Sequence, residues 1–356
     1  MRSRLRTRSK KVGAAFWLAV AVGLWLPIPH GLICEAPLSP THSIYDQQEA
    51  RQVAYSKDAE SFVNLPLAQL LKAVPNLKGL EPAESQEALP GILQEVGENV
   101  KGFFQDFPNT ACVEKISMGG LGETTPDITT IGVFGSGASG GEAWETHTQK
   151  FQYLALARQG TRGVGLDEYR TNAKGEPAEL GGAPGRYFVT KGFVSIPLYF
   201  HPDYQADSTF RYLGRQSIDK QRAYVVAFAQ RPERARFTGK VKIGKTSFLV
   251  LMQGIAWIDP RDYRILQMRT DLLPSKEDIG LRRETTEIQF QAVSFKESPQ
   301  VLWLPREVSV IVKWGKITYR NRHRYSNFKL FAVGTEQHVQ PLEDVSPDHQ
   351  NPNGRQ

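Results

Sequence analysis

Cysteine is scarce, with Cys34 and Cys112 the only two in 356 residues. No disulfide framework can be built from them, and if Cys34 leaves with the leader, Cys112 has no partner in an oxidising compartment. Cys112 sits in Asn109-Thr-Ala-Cys-Val-Glu-Lys-Ile116, which has the pattern of a starting strand, so it reads as a small buried hydrophobe. Histidine is sparse as well. Of the seven, His30, His42, His338 and His349 fall in the leader or polar tails, and His147 and His201 stand alone, so zinc-ligand spacing is missing. There is no Gly-x-Ser-x-Gly elbow and no His-Glu-x-x-His. Asp259, Asp262, Asp271, Glu284 and Glu287 fall in turns and at alternating strand positions, and read as a solvated face rather than a hydrolytic carboxylate pair. These absences argue against an enzyme, and no cofactor or metal is expected.

What is present points first to export. The formal charge is +7, but residues 1–36 hold Arg2, Arg4, Arg6, Arg8, Lys10 and Lys11 against Glu35 alone, so the remainder carries about +2. A nucleic-acid partner is not expected. The leader runs from these bases through uncharged Val12–Leu26 to Pro27-Ile-Pro29, the layout of a signal peptide. Its apolar core is shorter than the roughly 20 residues of a bilayer helix. Cleavage near Cys34–Ala36 is the reading adopted; an uncleaved leader giving membrane association, or lipidation at Cys34, are the alternatives. The expected location is the periplasm or cell envelope of a bacterium.

Residues 37–60 are polar and read as a tether. A helical segment follows over 61–110, with a short helix at Leu67–Val74 and a longer one from about Ala83 to Asp106. In the longer helix Leu89, Ile92, Leu93, Val96, Val100, Phe103 and Phe104 form one stripe. From 111 to 334 the pattern is β. Strands at Lys150–Leu156 and Leu166–Arg170 flank Gly-rich loops, one of which, Gly135-Ser-Gly-Ala-Ser-Gly140, has dinucleotide-loop spacing without the βαβ context it requires. Strands at Phe210–Gln216, Ala223–Gln230, Lys240–Ile243, Phe248–Trp257, Tyr263–Leu272, Glu284–Phe295, Val301–Trp314 and Ile317–Phe331 follow with turns and no interleaved helix, which predicts an antiparallel meander. Residues 335–356 read as a disordered tail.

The fold class expected is mainly β with N-terminal helices (α+β): a large curved antiparallel sheet or unclosed β-barrel covered by an amphipathic helix. The centre is the hairpin Gly254–Arg269, where Trp257 and Ile255 share one face and Leu266 and Met268 share another. Tyr224, Phe228, Phe248, Trp257, Phe290 and Trp314 are the candidate ligand-binding residues of the concave face, with ordinary core as the competing reading. Arg320, Arg322 and Arg324 project from one face of the last strand. They form either a charged rim for lipid phosphate or an acidic partner, or simply an outward face or an edge protected by charge against strand pairing.

Gly254-Ile-Ala-Trp-Ile-Asp259, the return strand Tyr263–Arg269 and Leu302-Trp-Leu-Pro-Arg306 together resemble the LolA/LolB-like periplasmic lipoprotein-carrier superfamily, over about Phe210 to Phe331. That resemblance implies an unclosed barrel, lidded by helices, whose concave face binds acyl chains or other apolar groups. The expected function is an exported non-catalytic binding protein for such a ligand, a lipid or lipoprotein acyl chain. The alternative is a structural or protein-interaction module of the cell envelope with a filled core.

Overall fold

Ten of the strands that the alternation predicts, together with one two-residue edge, pair into a single antiparallel sheet. The structure, a computed structural model, describes residues 60–122, 147–160, 163–172, 174–178, 192–236, 239–243, 246–296 and 298–331. The leader, Cys34, residues 37–59, the Gly135–Gly140 loop, most of the Gly175–Gly185 loop and the 335–356 tail lie outside these residues. The strands are β1 (Glu81–Pro82), β2 (Thr110–Gly122), β3 (His147–Gly160), β4 (Gly163–Thr171), β5 (Ser208–Ile218), β6 (Gln221–Gln230), β7 (Gly239–Ile243), β8 (Thr246–Val250), β9 (Met252–Ile258), β10 (Ile265–Leu272), β11 (Leu281–Phe295), β12 (Ser298–Trp314) and β13 (Ile317–Leu330). Their order is β1-β5-β6-β9-β10-β11-β12-β13-β2-β3-β4, and the sheet is not closed into a barrel. β7 and β8 form a separate hairpin.

The helices are α1 (Leu67–Ala73), α2 (Leu89–Gln105) and the single turn α3 (Pro202–Gln205). The apolar stripe of α2 buries Ile92, Val96, Val100 and Phe104 against the inner face of the sheet. Beside it runs a tight 3₁₀ turn, Ile196–Phe200, whose five residues are all buried. α2 starts at Leu89 rather than near Ala83, because Glu81 and Pro82 are spent on pairing with Arg215 and Gly214 at the sheet edge. The inner core gathers residues from almost every strand, including Tyr153, Phe228, Met268, Ile288 and Val310.

The outer face is divided. Over β5, β6 and β9 it is covered by the chain's own N-terminal segment, where Phe62, Leu70, Val74 and Leu77 pack on Leu213, Val225, Ile255 and Trp257. Each such apolar side chain contributes about 1.5–3 kcal/mol on burial. Polar staples fix the register: the Gln216 amide donates to the carbonyls of Asn76 and Lys78 at 2.8 and 2.9 Å, and the Phe62 N–H donates to Gln253 Oε1 at 2.7 Å. The helical segment expected over 61–110 is thus split, α1 on the outer face and α2 on the inner.

Two local expectations are corrected. The run Phe248–Trp257 is not one strand, since it breaks at Leu251 into β8, paired with β7, and β9, which joins the large sheet. Leu266 and Met268 do not share a face either: a register shift between Ile265 and Gln267 leaves Leu266 packed on the outer core and Met268 in the inner one. A bulge reverses the side-chain parity of everything after it.

Candidate functional site

At the β9–β10 turn the inner core opens to solvent in a cleft. It is small, a cavity of about 50 Å³ within about 420 Å³ of space that includes open solvent, and is lined by Asn99, Val100 and Phe103 of α2, by Val194 and Pro197, and by Tyr263, Arg264, Ile265, Phe290 and Trp303. The turn that forms one wall is built by Asp259. Its buried carboxylate accepts from the Arg261 N–H at 2.9 Å, from the Arg261 guanidinium at 2.8 Å and from the Gln221 amide. The hydrogen bonds from Arg261 hold this acid below the usual carboxylate range. Tyr263 then takes a left-handed backbone, φ 55°, which an aromatic residue adopts at a cost of the order of 1–3 kcal/mol.

Other contacts bind the walls together. Trp303 Nε1 donates to the Ile265 carbonyl at 2.6 Å, and the Arg264 guanidinium lies 4.9 Å from the centre of the Trp303 ring while pairing with Asp262. Asn99 of α2 donates to the Asp262 carbonyl at 2.7 Å, so the helix is hydrogen-bonded across the cleft mouth to the turn opposite. The result is an aromatic slot with polar groups at its lip, a shape suited to an apolar ligand carrying one polar end.

Of the six aromatic candidates, one lines this cleft. Phe290 is in its wall, and Tyr224 is its neighbour, 6.2 Å ring to ring from Tyr263. Phe228 is fully buried deeper in, under Tyr199 at 4.8 Å and over Gly254, where a Cβ would stand 2.6 Å from the Phe228 ring and 2.1 Å from the Arg269 carbonyl. Phe248 and Trp314 pack on the same inner core at other places. Trp257 lies on the opposite face, 1% exposed beneath the N-terminal segment and donating to Gln216 Oε1 at 2.8 Å. Its register partner Val225 and the cleft-side Phe228 fall on alternate faces of β6, so the two aromatics cannot wall one cavity. Phe103 reads in the sequence only as part of a helix stripe, and Trp303 as one of the aromatics of the sheet, in a late strand; a site built from five separated segments has no local signature.

The arginines also lie away from the cleft. Arg320, Arg322 and Arg324 stand on the outer face of β13, whose neighbours are β12 and β2. β13 is an interior strand, which removes the edge-protection reading.

The carboxylates read as a solvated face are mostly buried. Asp271 and Glu287 flank Arg269 on the outer face, where Arg269 also donates to Asn76 Oδ1 at 2.9 Å. Glu284 is 1% exposed on the inner side, and its Oε2 has no hydrogen-bond partner among the described residues. Burial, with the nearby Asp271 charge adding to it, pushes the Glu284 carboxyl up to about 7.

A second buried cluster is joined by hydrogen bonds, with His323 Nε2 left without a partner among the described residues. Glu114 accepts from Arg170 Nη2 at 2.8 Å and from the Tyr325 hydroxyl at 2.9 Å, and His323 Nδ1 lies 2.8 Å from it. Burial alone would raise Glu114, but the Arg170 charge and hydrogen bonds outweigh it and hold the acid at about 2. Glu168 accepts from Tyr153, from Ser195 Oγ at 3.0 Å and from the Gly192 N–H at 2.8 Å. This cluster ties the start of the 192–200 segment to β3 and β4. Among the described residues no group of three or more His, Cys, Asp or Glu could hold a metal ion, and no helix is long and apolar enough to cross a membrane.

No family model matches the chain, and no curated protein matches it. Among solved structures it is similar to an outer membrane lipoprotein-sorting protein domain from Vibrio parahaemolyticus. The identity is 9%, the match covers 70% of this chain and 96% of that one, and the TM-score is 0.36. It is also similar to a DUF1329 family protein from Desulfovibrio piger, at 10% identity over 71% of this chain and 97% of that one, with a TM-score of 0.28. MucB in complex with MucA(peri) matches at 8% identity over 68% of this chain and 100% of that one, with a TM-score of 0.14. The first two are of the kind that the sequence resemblance names. With TM-scores below 0.5, none of the three carries an argument about this chain.

Proposed function

We propose that the chain is an exported, non-catalytic binding protein of the bacterial envelope that holds an apolar ligand, a lipid or lipoprotein acyl chain, in the cleft between α2 and the β9–β10 turn. The supporting observation is the cleft itself: an aromatic slot reachable from solvent, beside a helix anchored to the opposite wall by one side-chain hydrogen bond from Asn99. Deeper entry would require α2 to lift, because Phe228 and the Ile196–Phe200 turn fill the interior behind it. The test is titration with a fluorescent fatty-acyl probe, with native mass spectrometry of the gently purified protein. Saturable binding that weakens about ten-fold in Phe103→Ala is expected, from the loss of a large apolar contact. An apo mass together with no probe binding defeats the proposal.

The filled interior favours a second reading, an envelope module whose sheet is a scaffold for protein contact. It is distinguished by the same titration, since a scaffold gives no saturable probe binding in any variant.

A further inference from the structure

The outer face of β13, β2 and β3 carries a charge arrangement that folding alone does not account for. Arg324 is directly opposite Lys115, and Lys115 is directly opposite Lys150, so three cations stand side by side on three adjacent strands. One register step along, Arg322 and then Arg320 extend the same face. Directly opposed like charges destabilise a strand pair. The acid in this row is Glu307, at the β12 end, and Arg322 and Arg324 both reach for it, at 2.6 and 3.3 Å. Lys115 and Lys150 are exposed beyond it. β13 and β2 are paired on both sides here, so Arg324 and Lys115 do not serve to block strand addition at an edge, while β3 is paired with β4 from Gln152 onward, past Lys150.

We infer that this face docks on an anionic phospholipid surface. The interior strands β13 and β2 offer a partner no free backbone groups, so contact over them runs through the guanidinium and ammonium tips. A fluid layer of phosphate headgroups meets a two-dimensional grid of such tips in any register, whereas an acidic peptide would have to match it. Toward the sheet edge the same face presents Tyr169, 49% exposed and opposite Leu154, an aromatic of the kind enriched at membrane interfaces. The cleft lies on the other face of the sheet, so docking would leave its mouth clear of the membrane contact.

The experiment compares the intact chain with its Lys115→Gln/Lys150→Gln variant on vesicles of phosphatidylcholine alone and of phosphatidylcholine with phosphatidylglycerol. The quantity read is the ratio of the two partition coefficients on the same vesicles, which cancels whatever the leader contributes. On anionic vesicles the ratio is expected to be on the order of ten-fold or more at low salt, shrinking at high salt. On neutral vesicles it should be close to one. A ratio of one on anionic vesicles overturns the inference, as does loss of an acidic protein partner with vesicle binding unchanged. An unchanged thermal transition verifies that the variant is folded, and Arg320→Gln, two register steps away, should move the ratio in the same direction.

Discussion

The sheet has two halves that solve burial differently. β5, β6 and β9 are covered on both faces, by α2 and the Ile196–Phe200 turn inside and by the N-terminal segment outside. All seven residues of β9 are buried, and its sequence, Met252-Gln-Gly-Ile-Ala-Trp-Ile258, barely alternates. Among the described residues β13 and β2 are covered on the inner face only, and there apolar or hydrogen-bonded residues alternate with half-buried Arg320 and Arg322 and, in places, exposed Arg324 and Lys115. A strand packed on both sides reads as a continuous apolar run, whereas one packed on a single side reads with period two. The doubly covered half therefore stores stability, and the singly covered half keeps a surface available.

Substitutions should break this contrast in order of size. Trp257→Ala, in the outer core of the covered half, is expected to cost about 3–5 kcal/mol in urea unfolding, from the cavity and the loss of its bond to Gln216. It should leave acyl-probe affinity unchanged in the folded fraction; a selective loss of binding would place Trp257 at the ligand after all.

The next effect lies at the seam between the halves, in β11. Native Glu284 ionises near 7 and the unfolded chain near 4.5, so its contribution to stability is full below about 4.5 and is lost as pH rises to about 7. Glu284→Gln should abolish that decline and be the more stable protein above about pH 7, by at most about 3 kcal/mol. Glu114, in the singly covered half, has the opposite sign. Its native value near 2 makes its contribution present above about 4.5 and lost as pH falls toward 2. Urea unfolding across the pH range checks both, and parallel pH curves for wild type and Glu284→Gln would refute the assignment.

The smallest effect belongs to the bare face. Lys115→Gln/Lys150→Gln should change folding stability by no more than about 0.5 kcal/mol, and in the stabilising direction, because it relieves opposed like charges. A clear loss of stability would mean that the lysines are structural.

How much of this could be read in advance follows from the same contrast. The α2 stripe and the alternation in β12 and β13 were legible because each element has one buried side. Phe228 and Trp257 were grouped together because two-sided burial erases the parity cue that separates them. Leu266 and Met268 were misassigned because a bulge costs only one residue and leaves no mark in hydrophobicity. Asp259, Asp271 and Glu284 read as solvent-facing because polarity is a poor guide wherever a partner arginine, or a protonated state, makes burial tolerable. The cleft is a meeting of α2, a 3₁₀ turn, a β turn and two strands, and only the packing brings them together.

The two-residue strand β1 has a consequence in time rather than in energy. Glu81 and Pro82 seat the chain on the edge of β5, and the Gln86 amide continues the pairing, donating to the Tyr212 carbonyl and accepting from its N–H, both at 2.8 Å. Here the polypeptide rounds the sheet from its outer face to its inner one. Bonds made by this segment span from 126 residues, at Gln86, to 193, at Asn76. Contacts of such sequence separation form slowly. The first part of the described chain to leave the ribosome therefore waits for partners made up to 193 residues later, and until it is seated the apolar outer surface of β6 and β9 is open to whatever receives the newly made chain.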